Sequence, residues 1–266
     1  MDSGSNQRAA PMRSHLLPIL CAFSALLLFG CSVLTRVRQP VPLATSLQQI
    51  VPHADRDHFV YSWQRFDDGQ LVGNGIQVEH VTALGGGEFE VLLSEDGRMV
   101  GRTRLRDTGD ALLLISEDDL TRGLRLAYDP PLTQLGVPLL AGEQRASASV
   151  TMTQVADGQV VGTFPVEQAI NVEPGRAVDS PLGTFPRSIV VQEMRTLKIP
   201  DGSTELKTTT VLVPGIGEIS SIGSASGAPP LRRDLACAII GGQRVGNCAN
   251  LNQWRDQRGA RSPDVR

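Results

Sequence analysis

His58-Phe59-Val60-Tyr61-Ser62-Trp63-Gln64-Arg65-Phe66-Asp67-Asp68-Gly69-Gln70-Leu71-Val72-Gly73 is the stretch that sets the fold class. Phe59, Tyr61 and Trp63 alternate with Val60, Ser62 and Gln64, the period of two expected of a strand with one face buried. Asp-Gly between two alternating segments marks a tight hairpin, because glycine readily takes the positive φ that such turns demand. Setting Phe66 opposite Leu71 places Phe59 across from Val78, Tyr61 from Ile76 and Arg65 from Val72, which gathers the apolar side chains largely on one side. A slip of one residue would scatter them over both faces.

The same grammar recurs downstream. Glu88 to Ser94 and Met99 to Leu105 flank Glu95-Asp96-Gly97-Arg98, and Ala111 to Ile115 follows Asp107-Thr108-Gly109-Asp110. Asp118 to Glu143 reads as a Pro-interrupted stretch. Strands return at Ser149 to Val155 and Val160 to Val166 around Asp157-Gly158, then at Ser188 to Ile199 and Thr204 to Val213 around Asp201-Gly202. Helical periodicity is scarce, so the expectation is a mostly all-β domain over 58–223, an antiparallel curved sheet or barrel built from hairpins. Asp68-Gly69-Gln70-Leu71-Val72-Gly73 is echoed by Asp157-Gly158-Gln159-Val160-Val161-Gly162, which suggests two similar four-stranded units, 58–115 and 149–213.

The 266 residues are 41% hydrophobic with a formal net charge of -3, enough apolar content to bury a substantial core. No basic stripe is available for phosphates, and at 4% aromatic residues few rings could stack on bases, which argues against nucleic acid as a partner.

At the N-terminus, Arg8, Arg13 and His15 precede an apolar run from Leu16 to Phe29, the charged and hydrophobic regions of an export signal starting at Met1 or Met12. The run is shorter than the ~20 residues that span a bilayer as a helix, which favours cleavage. Leu28-Phe29-Gly30-Cys31 resembles the lipobox of bacterial lipoproteins. The resemblance implies a signal peptide over 1–30, diacylglycerol on the Cys31 thiol and membrane attachment through acyl chains; Ser32 in place of Asp implies the outer membrane, facing the periplasm. Residues 31–57, with Pro40, Pro42 and Pro52, read as the lipidated N-terminus and a tether, with room for one short helix around Ser46 to Ile50.

Tyr128-Asp129-Pro130-Pro131-Leu132, Val137-Pro138-Leu139-Leu140, Gly142 and Val213-Pro214-Gly215-Ile216-Gly217 are similar to segments of the TapB-like exported β-rich proteins, over about 128–221. That resemblance implies a curved antiparallel sheet and carries no activity.

Catalytic signatures are missing from the sequence. No serine stands on a Gly-flanked elbow between strand and helix, and Gly223-Ser224-Ala225-Ser226-Gly227, followed by Pro229-Pro230, reads as part of a connector over 224–248. His53, His58 and His80 with Asp55 and Asp57 lack metal-ligand spacing and read as a solvated strand end; neither metal nor cofactor is expected. Glu95-Asp96 and Asp118-Asp119 sit in turn-like contexts. Gly85-Gly86-Gly87 reads as a turn. Arg102, Arg104 and Arg106 share a strand face, as on an edge strand protected by charge. Residues 249–266 combine four arginines with few apolar side chains and read as a disordered tail.

Two functions fit this pattern: a binding or scaffolding lipoprotein for an apolar ligand, a lipid or an envelope protein partner, or an envelope hydrolase working on glycan or peptide through paired carboxylates. A deep apolar cavity inside the sheet favours the first, and a polar cleft holding two carboxylates the second. With Cys21 removed in the signal and Cys31 acylated, Cys237 and Cys248 are the remaining thiols in an oxidising compartment and are expected to form a disulfide. Thiol titration of denatured, unreduced mature protein should find no free cysteine; two reactive thiols would exclude the bridge.

Overall fold

The computed structural model describes residues 41–247. One four-residue helix, α1 (Leu47–Ile50), precedes fifteen strands: β1 (His58–Asp67), β2 (Gln70–Gly85), β3 (Glu88–Glu95), β4 (Arg98–Asp107), β5 (Ala111–Asp119), β6 (Leu124–Gly136), β7 (Gly142–Gln154), β8 (Val160–Gly175), β9 (Val178–Ser180), β10 (Gly183–Phe185), β11 (Ser188–Ile199), β12 (Gly202–Val213), β13 (Gly217–Ala225), β14 (Leu231–Ile240) and β15 (Gln243–Gly246). Each strand pairs with its sequence neighbour, except that β9 and β10 form a separate hairpin between β8 and β11. β14 then pairs with β1, from His58–Ile239 to Arg65–Leu231, and closes twelve strands into an antiparallel barrel. β15 lies beside the upper part of β14, where β13 has parted from it.

The Asp-Gly turns form as their chemistry dictates. Asp68 and Gly69 have φ of 46° and 76°, Asp96 and Gly97 of 49° and 82°, and both close two-residue loops between paired strand ends. The register of the first hairpin differs from the expectation. Phe66 does face Leu71, but a bulge then shifts the pairing so that Phe59 meets Glu79, Tyr61 meets Gln77 and Trp63 meets Gly75. The indole accounts for the shift: a Cβ built on Gly75 would lie 2.6 Å from Trp63 Nε1, so only glycine fits opposite this ring.

Two segments read as irregular belong to the wall, and a third closes one end of it. The Pro-interrupted stretch from Asp118 to Glu143 holds the end of β5, all of β6 and the start of β7. Pairing of β6 with β7 stops at Asp129–Ser149, directly before Pro130 and Pro131, which have no N–H to donate. The described part of the connector, 224–247, is the end of β13 with β14 and β15. From residue 41 onward, the tether is a cap across one end of the barrel. Leu43 N donates to Leu139 O (2.7 Å), Gly215 N to Gln49 O (2.6 Å) and Val81 N to Asp57 O (2.9 Å), so the segment crosses from the β6–β7 loop to the β12–β13 turn and on to β2. Leu47 and Ile50, one turn apart on α1, are buried beside Leu139 in the core.

The two proposed units share a next-neighbour strand order, which any up-and-down meander imposes. Their echoed turns differ: the first joins Asp67 to Gln70 in two residues, whereas the second is a longer loop between Thr153 and Val160.

Gly75→Ala should destabilise the barrel by about 1–3 kcal/mol, as overpacking against a buried ring does. Urea unfolding with unchanged m-value checks this.

Candidate functional site

Twelve strands make a barrel wider than the eight whose interior side chains can fill, and alternate residues of every strand point inward. A chamber of about 320 Å³ lies beneath Ile50, Val51 and Pro52 of the cap, and every strand of the ring except β7 contributes to its wall. Its apolar part includes Phe59, Leu105, Leu114, Val191 and Leu212. A second chamber of about 600 Å³ lies toward the opposite end, beside the β5–β6 and β13–β14 turns, and shares Glu218 and Arg233 with the first.

Two arginines organise the waist of this lumen. Arg233, on β14, donates from Nε and Nη2 to the two carboxylate oxygens of Glu218 (2.7 and 2.8 Å), and from Nη1 to Glu79 (2.5 Å). Its guanidinium lies 4.4 Å from the centre of the Tyr61 ring. Arg195, on β11, repeats the design. It donates to Glu193 from Nε and Nη2 (3.0 and 2.8 Å), and from Nη1 to Glu117 (2.7 Å) and the Tyr128 hydroxyl (3.0 Å). The Tyr128 hydroxyl donates in turn to Glu117 (2.6 Å), and Gln168 Nε2 to Glu193 (2.7 Å). Glu117 stands on β5, so this cluster ties the β5–β6 wall to β8 and β11.

Burial pushes both phenols above the ordinary tyrosine range, reinforced by Glu117 at Tyr128 and by Glu79 and Glu218 at Tyr61. Burial opposes the charge on both arginines, but the flanking glutamates outweigh it and raise their pKa.

The arginines singled out from sequence face the outer surface. β4 is no edge strand, being paired with both β3 and β5. Arg102 and Arg125 both donate to Asp118 (2.8 and 2.7 Å), while Arg104 and Arg106 share Glu88 (2.9 and 3.0 Å). Asp118 is therefore not a turn residue: it lies in β5 with its side chain 2% exposed. Burial acts to raise its pKa, yet hydrogen bonds from Arg125 and Arg102 hold it below the usual carboxylate value. The solvated strand end is also corrected in part. Asp57 is buried, accepting from Ala54 N (2.9 Å) and Gly241 N (2.7 Å), and His53 stacks on Phe89 while its Nε2 hydrogen-bonds Asp107 (3.0 Å). His58 and His80 pack edge to face at 5.9 Å. Among the described residues, no three His, Cys, Asp or Glu are grouped to hold a metal ion.

Cys31 and Cys248 lie outside the described residues, so neither the lipidation site nor the disulfide partner has a described position. Cys237 is fully buried on β14, in register with Gly246 of β15. The lumen residues went unnoticed in sequence reading. Their signal was present in Ile189, Val191, Glu193, Arg195 and Leu197, where two charges interrupt one apolar face.

No family model and no curated protein matches the sequence. Three solved structures show likeness. One is from Bacteroides fragilis, described as an exported protein with a YmcC-like fold, at TM-score 0.44 and 13% identity over 69% of this chain and 95% of that one. Another, described as a lipoprotein, comes from Parabacteroides distasonis, at TM-score 0.41 and 12% identity over 69% and 95%. The hypothetical lipoprotein YmcC of Escherichia coli gives TM-score 0.33 and 11% identity over 85% and 98%. The barrel described above stands on its own strand pairing and takes nothing from these likenesses.

Arg195→Met should cost about 3–5 kcal/mol at pH 7, because it leaves Glu117 and Glu193 without their cation inside the wall. Urea unfolding measures it.

Proposed function

We propose that this protein is a lipoprotein of the bacterial outer membrane, held by acyl chains on Cys31 and facing the periplasm, whose barrel binds a single-chain amphiphile in its lumen. The observation that carries the binding reading is the lumen itself, a mainly apolar interior that the barrel's own side chains leave unfilled. The anchor rests on the export signal and on the lipobox-like Leu28-Phe29-Gly30-Cys31. One acyl chain binds a membrane only marginally, whereas the three chains typical of such lipoproteins would make attachment effectively permanent. An envelope hydrolase is the weaker reading, because all four lumen glutamates are hydrogen-bonded by arginine in an arrangement that braces the walls.

Both parts of the proposal are testable. Cys31→Ser should release the protein from membranes or leave its signal uncleaved; a mature, detergent-soluble Cys31→Ser protein would exclude acylation there. Calorimetric titration with n-octanol should show saturable binding. Thr210→Trp, which fills the first chamber, should weaken that binding at least about tenfold with the far-UV circular dichroism preserved. Undiminished affinity would exclude the lumen as the site.

A further inference from the structure

One donor on the wall of the first chamber has no acceptor. Gln134 stands on β6 where the pairing with β5 slips: Leu112 meets Leu135 and Leu113 meets Thr133, which leaves Gln134 as the extra residue of a bulge. A bulge re-aims side chains, and two consecutive residues, Gln134 and Leu135, both line the chamber as a result. Gln134 Nε2 is fully buried and has no hydrogen-bond partner among the described residues. Leu112 and Leu114 of β5 line the same chamber, so the amide is set in a leucine wall. A buried donor left unpaired is costly, and a water held there would itself need two to four polar partners. One acceptor oxygen carried on an apolar chain answers the amide.

The charges of the lumen do not call for an ion. Glu79, Glu117, Glu193 and Glu218 line the first chamber, Arg65 and Arg122 the second, and Arg233 lines both. With Arg195, which is paired to Glu117 and Glu193, the lumen sets four guanidiniums against four carboxylates. An ionised head group would give up its hydration for a wall whose charges already balance, whereas a neutral carbonyl gives up little. What remains unused is donor capacity: Arg233 Nη1 and Nη2 each hold two hydrogens, and each gives one to a carboxylate. An ester carbonyl accepts and brings no donor of its own, which matches that surplus.

We infer that the lumen takes a neutral acyl ester, its carbonyl oxygen accepting from Gln134 Nε2 and its chain lying along the leucines of β5 and β6. This inference rests on the lumen-binding reading above and narrows it to one ligand class. The test titrates methyl octanoate, octanoate and n-octylammonium calorimetrically, below their aggregation thresholds, into the wild-type protein and into Gln134→Met, which keeps roughly the side chain's length and loses its donor. Methyl octanoate should bind the wild type at least about tenfold tighter than either ion does, and should bind Gln134→Met about tenfold more weakly than the wild type. Saturable octanol binding, together with a methyl octanoate affinity no higher than that of an ion, overturns the ester preference and leaves lumen binding standing. Binding by none of the four probes overturns both. Unchanged ester affinity in Gln134→Met with its far-UV circular dichroism preserved overturns the contact at Gln134. The wild-type protein supplies a second readout that needs no substitution. Nuclear Overhauser contacts are expected from the O-methyl and α-methylene protons of the ester to the Gln134 side-chain amide protons. Tight binding without those contacts would place the carbonyl elsewhere and overturn the assignment.

Discussion

Pairing of β14 with β1 is the constraint on which the rest of the structure depends. Once the last long strand meets the first, the ring has no free outer edge to protect, and the number of strands sets its width. A twelve-stranded ring encloses more space than a chain with 4% aromatic residues can fill. Tyr61, Trp63 and Tyr128 are large inward-facing side chains, but they cannot replace a packed core at every level.

The lumen is braced by charge where apolar packing runs short. Arginine suits this position because its guanidinium reaches across a gap and offers five donors in a fixed plane. Arg195 joins β11 to Glu117 and Tyr128 on the facing wall, and Arg233 joins β14 to β13 and β2. Buried ion pairs of this kind add little net stability compared with well-packed apolar residues. Breaking one is costly, however, so they hold the relative position of distant strands. The same groups make the waist of the lumen polar.

The cap completes the chamber. Between Leu43 and Asp57 the backbone hydrogen-bonds to Leu139, Gly215 and Val81, elements from different parts of the ring. Asp57 accepts from Gly241 N at the β14–β15 turn, and His53 reaches Asp107 at the end of β4. One short segment thus ties together the ends of strands that are far apart in sequence. Because this segment continues the chain leading from Cys31, the proposed anchor and the roof of the lumen are covalently continuous.

Local chemistry in the chain determined the strands, the hairpin turns and the antiparallel meander. Alternating side chains and Asp-Gly pairs act over a few residues, so the strands they bound were legible, whereas β6 and β14, which lack such turns, take their place from ring pairing. Register and surface were decided elsewhere. Pairing Phe59 with Val78 and Tyr61 with Ile76 gathers the apolar side chains largely on one side, but Glu79 and Gln77 face inward because the lumen is wide enough to be partly polar and because Trp63 needs Gly75 opposite it. Arg102, Arg104 and Arg106 looked like protection for an edge, and ring closure left no such edge to protect. The prolines at 130 and 131 resembled a break in the sheet, yet they sit where β6 has already left β7 and no donor is required. Glu117, Arg195 and Glu193 form one cluster only because the ring brings β5 and β11 face to face, a relation that no spacing along the chain encodes.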